Sequence, residues 1–193
     1  KDAALYHKVH LVPFGEYVPL RDSFPLFAWI VGDLVPDDFD FGPGPKVLQL
    51  ASKPVKVGPL ICFEDTLGDL ARKFVRQGAQ IFVTVTNDGW FLKSAGSQQH
   101  VIHALFRCAE TKIPMVRAAN TGVSCVIDRF GRIRDRLRDE SGDTFIEGFF
   151  TASVEVPRNP GLTFYVRNGE VFALACLGTA LAAAAVTFFR RKS

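Results

Sequence analysis

Val57-Gly58-Pro59-Leu60-Ile61-Cys62-Phe63-Glu64-Asp65-Thr66-Leu67-Gly68-Asp69 is an apolar run that stops at a cysteine and turns at once into two acids and a threonine. Residues 55–62 read as a buried strand, and residues 67–77 carry helical spacing, so the thiol stands where strand gives way to what reads as a helix start. In open α/β sheets, ligands collect at the carboxyl ends of the strands. A thiol at that edge is exposed and polarised, as a nucleophile needs to be.

Working outward, residues 81–86 (IFVTVT) alternate as a second strand and end at Asn87-Asp88-Gly89, which brings another polar group, Asn87, to the same edge. Residues 97–112 read as a helix capped by Ser97 and stopped before Pro114. Strands follow at 115–120 and 123–128, then a turn at 129–132 and a further strand from Ile133. Strand, helix, strand, helix and then several strands predict an α/β fold with a mixed sheet. Pro and Gly at 43–45 and 53–54 mark turns and not a linker. Residues 20–36, with Phe24, Phe27, Trp29 and Ile30 among prolines, resist this scheme. They read either as a loop packed on the core or as one that dips into a membrane interface.

The chain has 193 residues, 48% of them hydrophobic, and a formal net charge of +3, which suits one globular domain. The arginines of residues 129–140 are interleaved with acids and apolar residues, so the stretch reads as a solvated hairpin and argues against a nucleic-acid partner. Cysteines at 62, 108, 125 and 176 show no Cys-x-x-Cys spacing, which speaks against zinc and against a redox dithiol. Cys108 and Cys125 read as core, with a disulfide between them left open. His100 and His103 lack a third ligand and read as a packed pair. No metal and no cofactor is expected. The chain begins Lys1-Asp2-Ala3 without an initiator Met and reads as a piece of a longer protein.

Residues 171–189 carry no charge and are followed by Arg190, Arg191 and Lys192. About 20 apolar residues span a bilayer core, so this stretch is expected to cross a membrane. The positive-inside rule puts the basic end in the cytoplasm and the rest of the chain on the other face. The expected division is a domain over 1–168 and a membrane helix over 169–193.

Lys8 lies in the apolar, non-helical stretch Tyr6-His7-Lys8-Val9-His10-Leu11-Val12-Pro13-Phe14-Gly15-Glu16. A lysine there must reach water or find a carboxylate, and Glu16 is one candidate partner. An ammonium near Cys62 would favour the thiolate. One of His7 and His10 is expected to be a satisfied structural histidine beside it.

Residues 7–16 (HKVHLVPFGE), 58–64 (GPLICFE), 86–91 (TNDGWF), Gln99-His100 and 117–122 (RAANTG) together resemble the second half of the carbon-nitrogen hydrolase (nitrilase) domain. More narrowly, the chain is similar to the apolipoprotein N-acyltransferase family of bacterial inner-membrane enzymes. The matching segments run from Tyr6 to about Ile133, and the final helix falls where that family has its last span.

The resemblance implies a nitrilase-like α/β sandwich and a Glu-Lys-Cys triad, with Cys62 as nucleophile and Lys8 stabilising the oxyanion. The general-base Glu is implied to lie upstream of Lys8, Glu16 to orient that lysine, and Glu64 to match a further family acid. The Phe63 backbone N–H is implied as an oxyanion donor. Trp90 and Phe91 read equally as acyl-groove lining or as core, with Asn87 and Asn120 as candidate substrate contacts. The implied partners are a phospholipid acyl donor, a diacylglyceryl-modified apolipoprotein acceptor and the membrane bilayer. Two other readings remain: a membrane-anchored amidase using water as acceptor, and a non-catalytic anchored binding module.

Overall fold

The computed structural model describes residues 5–21 and 38–190. The expectations for the aromatic segment at 20–36 and for the basic end fall outside them, apart from Leu20, Arg21 and Arg190.

Among the described residues, six strands form one mixed sheet in chain order: β1 (Leu48–Gln49), β2 (Lys56–Ile61), β3 (Ile81–Thr86), β4 (Met115–Ala119), β5 (Cys125–Ile127) and β6 (Ile133–Arg136). β2, β3 and β4 run parallel, and the flanking strands pair antiparallel. The parallel centre follows from the connections, because α1 (Gly68–Arg76) and α2 (Gly96–Thr111) are the crossovers between its strands. The carboxyl ends of β2 and β3 therefore lie side by side. Ile61 pairs with Val85, and the next residue of the first strand's chain is Cys62.

Apolar spacing explains the packing. Leu70, Ala71, Phe74 and Val75 of α1 are buried against Leu60 and Phe82 in one cluster with Val101, Ala104 and Cys108 of α2. Gly58 permits this closeness, since a Cβ there would meet both Phe74 and Phe82 at 3.1 Å. Cys108 and Cys125 are buried free thiols in the same core, which closes the disulfide question. Burial pushes both thiols up, Cys125 to about 11.

The helix read over 67–77 forms as α1 (Gly68–Arg76), and the residues between it and the strand, Cys62–Thr66, form a 3-10 turn. One local expectation fails. Ser97 does not cap α2. It lies inside the helix, buried and without a hydrogen-bond partner among the described residues, while the Ser94 hydroxyl accepts from the Gly96 N–H.

Past the sheet, α3 (Phe164–Asn168) is capped by Thr163, and its Val166 enters the core cluster. Arg76 donates to the carbonyls of Val166 and Arg167 at 2.9 and 2.7 Å, which clamps this segment to α1. It leads into α4 (Val171–Arg190), whose 20 residues are all exposed and include an 18-residue stretch with a mean hydropathy of 2.2, long and apolar enough to cross a membrane.

Candidate active site

Cys62 sits at φ 53°, a left-handed conformation uncommon for a residue with a side chain. Chain and strand direction part there, and the thiol turns into a cleft of about 510 Å³. Val12, Gly15, Glu16, Phe63, Thr66, Asn87, Trp90, Phe91, Gln99, His100 and His103 line that cleft with it. Its walls are largely apolar, and Trp90 is three-quarters exposed at the rim.

Glu64, two residues beyond the thiol, is fully buried and surrounded by donors. Its Oε1 accepts from the Val9 and His10 N–H groups at 2.7 and 3.1 Å, and its Oε2 from the Ile61 N–H at 2.8 Å. The Tyr6 hydroxyl completes the set at 2.9 and 3.0 Å. One carboxylate thus fastens the segment on either side of Lys8 to the turn that carries Cys62. Burial and the Glu64 charge push the Tyr6 hydroxyl pKa far up, so Tyr6 stays a donor.

The Lys8 ammonium reaches both Glu16 oxygens at 2.7 Å with only a tenth of its side chain exposed. Glu16 in turn accepts from the Val12 N–H at 2.9 Å. Phe14 at φ 61° closes the turn that returns Glu16 to the lysine. Among the described residues, Lys8 makes no hydrogen bond to Cys62. Lys8 is not among the residues that line the cleft, but its partner Glu16 is, and the Glu64 tether holds the Lys8 segment to the Cys62 turn.

Of the expected site residues, Cys62, Phe63, Glu16, Asn87, Trp90 and Phe91 line the cleft. Glu64, fully buried, and Lys8 are not among its lining residues, though Lys8 bonds to Glu16, which is. Asn120 stands one layer back, donating to Asn87 Oδ1 at 3.3 Å. His10 is not a satisfied histidine: its ring Nδ1 is buried without a hydrogen-bond partner among the described residues, and its backbone N–H does the bonding.

His100 also departs from the packed-pair expectation. Nδ1 is 2.8 Å from Asp88 Oδ1, and Nε2 is 2.8 Å from Asp65 Oδ1 in an ion pair not straight enough to count as a hydrogen bond. Arg117 reaches the same two carboxylates, Asp65 at 3.2 Å and Asp88 at 3.1 Å, and donates to the Val123 carbonyl at 2.8 Å. Asp65 and Asp88 are fully buried and Arg117 nearly so. Gly122, at φ 90°, is needed beside them, because a Cβ would fall 2.9 Å from Asp88 Oδ2. Burial opposes charge on His100, but the two carboxylates overcome it and raise its pKa from 6.5 to about 9. Asp88 is held below its usual range, since its bonds to His100 and Arg117 outweigh burial. Arg117 alone would leave two buried carboxylates one positive charge short, so the direction agrees with charge balance. Gln99, His100 and Arg117 stand in segments the resemblance had marked, but nothing in those short strings told what they bind.

A thiol in a strained turn, an ammonium-carboxylate pair and apolar walls on one cleft suit attack on a carbonyl with water held back. An apolipoprotein N-acyltransferase from Geobacter metallireducens is 41% identical over 186 residues, 96% of this chain and 33% of that protein. Another from Nitrosomonas europaea is 38% identical, over 97% of this chain and 36% of that protein. The chain thus spans about a third of the length of the curated relatives it matches. A solved nitrilase-superfamily structure from Saccharomyces cerevisiae aligns with TM-score 0.49 at 17% identity, covering 74% of this chain and 45% of that one. Residues 1–156 match the carbon-nitrogen hydrolase family, and the chain belongs to that family.

Proposed function

We propose that this chain is the carboxyl-terminal part of an apolipoprotein N-acyltransferase, with a catalytic domain portion over 1–168 and a membrane-spanning helix over 169–193. The observation that carries this is the Glu64 tether, which joins the Lys8 segment to the Cys62 turn at an apolar cleft. The curated relatives, acyltransferases by name and similar along nearly the whole chain, supply the class of reaction.

In the proposed first half-reaction, the triad's Glu takes the Cys62 thiol proton and the thiolate attacks an ester carbonyl of a phospholipid. The carbonyl π electrons move to oxygen, and the oxyanion is held by the Lys8 ammonium and the Phe63 N–H. A donor of that kind contributes about 3 to 4 kcal/mol to the transition state. Glu16 keeps the ammonium oriented, as its 2.7 Å bonds suggest. Collapse breaks the ester C–O bond and leaves a Cys62 thioester, while the departing lysophospholipid alkoxide takes a proton from the triad's Glu. In the second half, the α-amine of a diacylglyceryl-modified apolipoprotein attacks the thioester, the same Glu takes its proton, and the thiolate leaves. In this family pattern the Glu precedes the lysine, and residues 1–7 contain none. The chain by itself is therefore inactive in this scheme.

Apolar cleft walls favour the amine over water as acceptor. Trp90 and Phe91 are suited to receive an acyl chain, with Asn87 and Asn120 at its polar end. With α4 crossing the inner membrane and its basic end in the cytoplasm, the domain faces the periplasm, where lipid substrates arrive without leaving the bilayer. The test is acyl transfer by the full-length protein to a diacylglyceryl lipopeptide, followed by mass spectrometry. A third acyl group on the amine is expected from the wild type and none from Cys62→Ala. Release of free fatty acid alone would replace this proposal with a hydrolase.

A further inference from the structure

The ion cluster of Asp65, Asp88, His100 and Arg117 takes no part in the chemistry just described, yet it joins the two turns that carry Cys62 and Trp90 to the cleft. Asp65 belongs to the nucleophile turn Cys62–Thr66, and Asp88 opens the second 3-10 turn, Asp88–Phe91, which carries Trp90. His100 comes from α2 and Arg117 from β4. The Phe91 ring meets the His100 ring edge-on, with centroids 5.7 Å apart. His100 thus contacts both turns and also lines the cleft.

Proton count decides what His100 can do there. A doubly protonated imidazole has two N–H groups and can serve both carboxylates; a neutral one has a single N–H and can donate to only one. With the proton on Nε2, Nδ1 would then accept from Arg117, 2.9 Å away; in the imidazolium that same approach sets two donors together and opposes the charge, which the two carboxylates outweigh. We propose that His100 is a positioning residue that, as an imidazolium between Asp65 and Asp88, locks the nucleophile turn to the Asp88–Phe91 turn and so fixes Trp90 and Phe91 relative to Cys62. The charged groups facing it are Asp65 and Asp88 from the two turns and Arg117 from the sheet. On its own helix, Arg107 is turned away to the Thr66 carbonyl and Glu110, and His103 faces the cleft. The raised pKa of His100 keeps the lock closed at neutral pH and releases it near about 9.

The activity readout rests on the proposed acyl transfer, so a second readout is independent of it. In full-length protein labelled with fluorotryptophan, the Trp90 fluorine resonance is assigned by its loss in Trp90→Phe and followed with pH. It is expected to titrate near about 9 in the wild type and to stay still there in His100→Gln. Asp65→Asn, which removes one stabilising carboxylate, should move that midpoint to lower pH. Cys62 acylation should fall about tenfold through the same range in the wild type and lose this fall in His100→Gln. Absence of the Trp90 titration in the wild type, or its survival in His100→Gln, overturns the proposal. If His100→Gln fails to fold, Asp65→Asn decides, and an unmoved midpoint overturns it. A Trp90 titration that behaves as expected, with no acyl transfer by any variant, would uphold the lock and reject the acyltransferase.

Discussion

Glu64 and Asp65 are neighbours in the chain and both fully buried, yet they are satisfied by opposite chemistry. Glu64 is surrounded by neutral donors, three backbone N–H groups and the Tyr6 hydroxyl. Asp65 is met by a guanidinium and an imidazole. The first arrangement is indifferent to pH through the neutral range, because none of its donors titrates there. The second changes charge with His100. One turn thus carries a fixed tether, which places the Lys8 segment, and a titrating tie to the opposite wall of the cleft.

The hardest way to break the comparison is to remove a charge from the second region. Arg117→Met would leave Asp65 and Asp88 with His100 alone, and breaking a buried ion pair this way costs about 3 to 5 kcal/mol. Thermal unfolding should show that loss, and a change under about 1 kcal/mol would mean the cluster is not closed as described. Next, Glu64→Gln keeps the shape but turns an amide N–H₂ toward groups that are themselves donors. A buried charge-assisted bond contributes about 1.5 to 3 kcal/mol, so Cys62 acylation should fall on the order of 100-fold. If that variant matches the wild type, the neutral-donor tether has no role.

Titration separates the two regions without mutation. Folding raises the His100 pKa from 6.5 to about 9, so its contribution to stability is complete below about 6.5 and disappears as pH rises through about 9. At its largest this is about 3 kcal/mol. Denaturant midpoints should decline across that window in the wild type and stay flat in His100→Gln. The smallest effect belongs to Tyr6→Phe, which deletes one hydroxyl donor to Glu64 and leaves the backbone donors in place. About 1 kcal/mol of stability is expected to go, with no change in the pH profile. A shift in the profile would mean that the regions are not separate.

The contrast also explains what could be read from residues alone. The alternation in 81–86 and the apolar run ending at Cys62 mark β3 and β2, and the uncharged stretch before Arg190 marks the last helix. Their periodicity is local, so no distant contact was needed. The Lys8–Glu16 pair, one of the two readings open to that lysine, was in reach because the partners are eight residues apart on one turn. The 3-10 turn after Cys62 was hidden, since a positive φ at a cysteine is imposed by tertiary contacts and not by its own preference. Glu64 and Asp65 look alike in a string of letters, and their partners come from positions 6, 9, 10 and 61 in one case and 100 and 117 in the other. His100 is hidden for the same reason: two carboxylates 35 and 12 residues earlier make it an ion-pair residue.

The most direct test incubates full-length protein with phospholipid and no acceptor, and maps the acyl adduct by peptide mass. One hydroxylamine-labile acyl group on Cys62 is expected. An unmodified Cys62, or an adduct on another cysteine, would contradict the placement of the nucleophile at the end of β2.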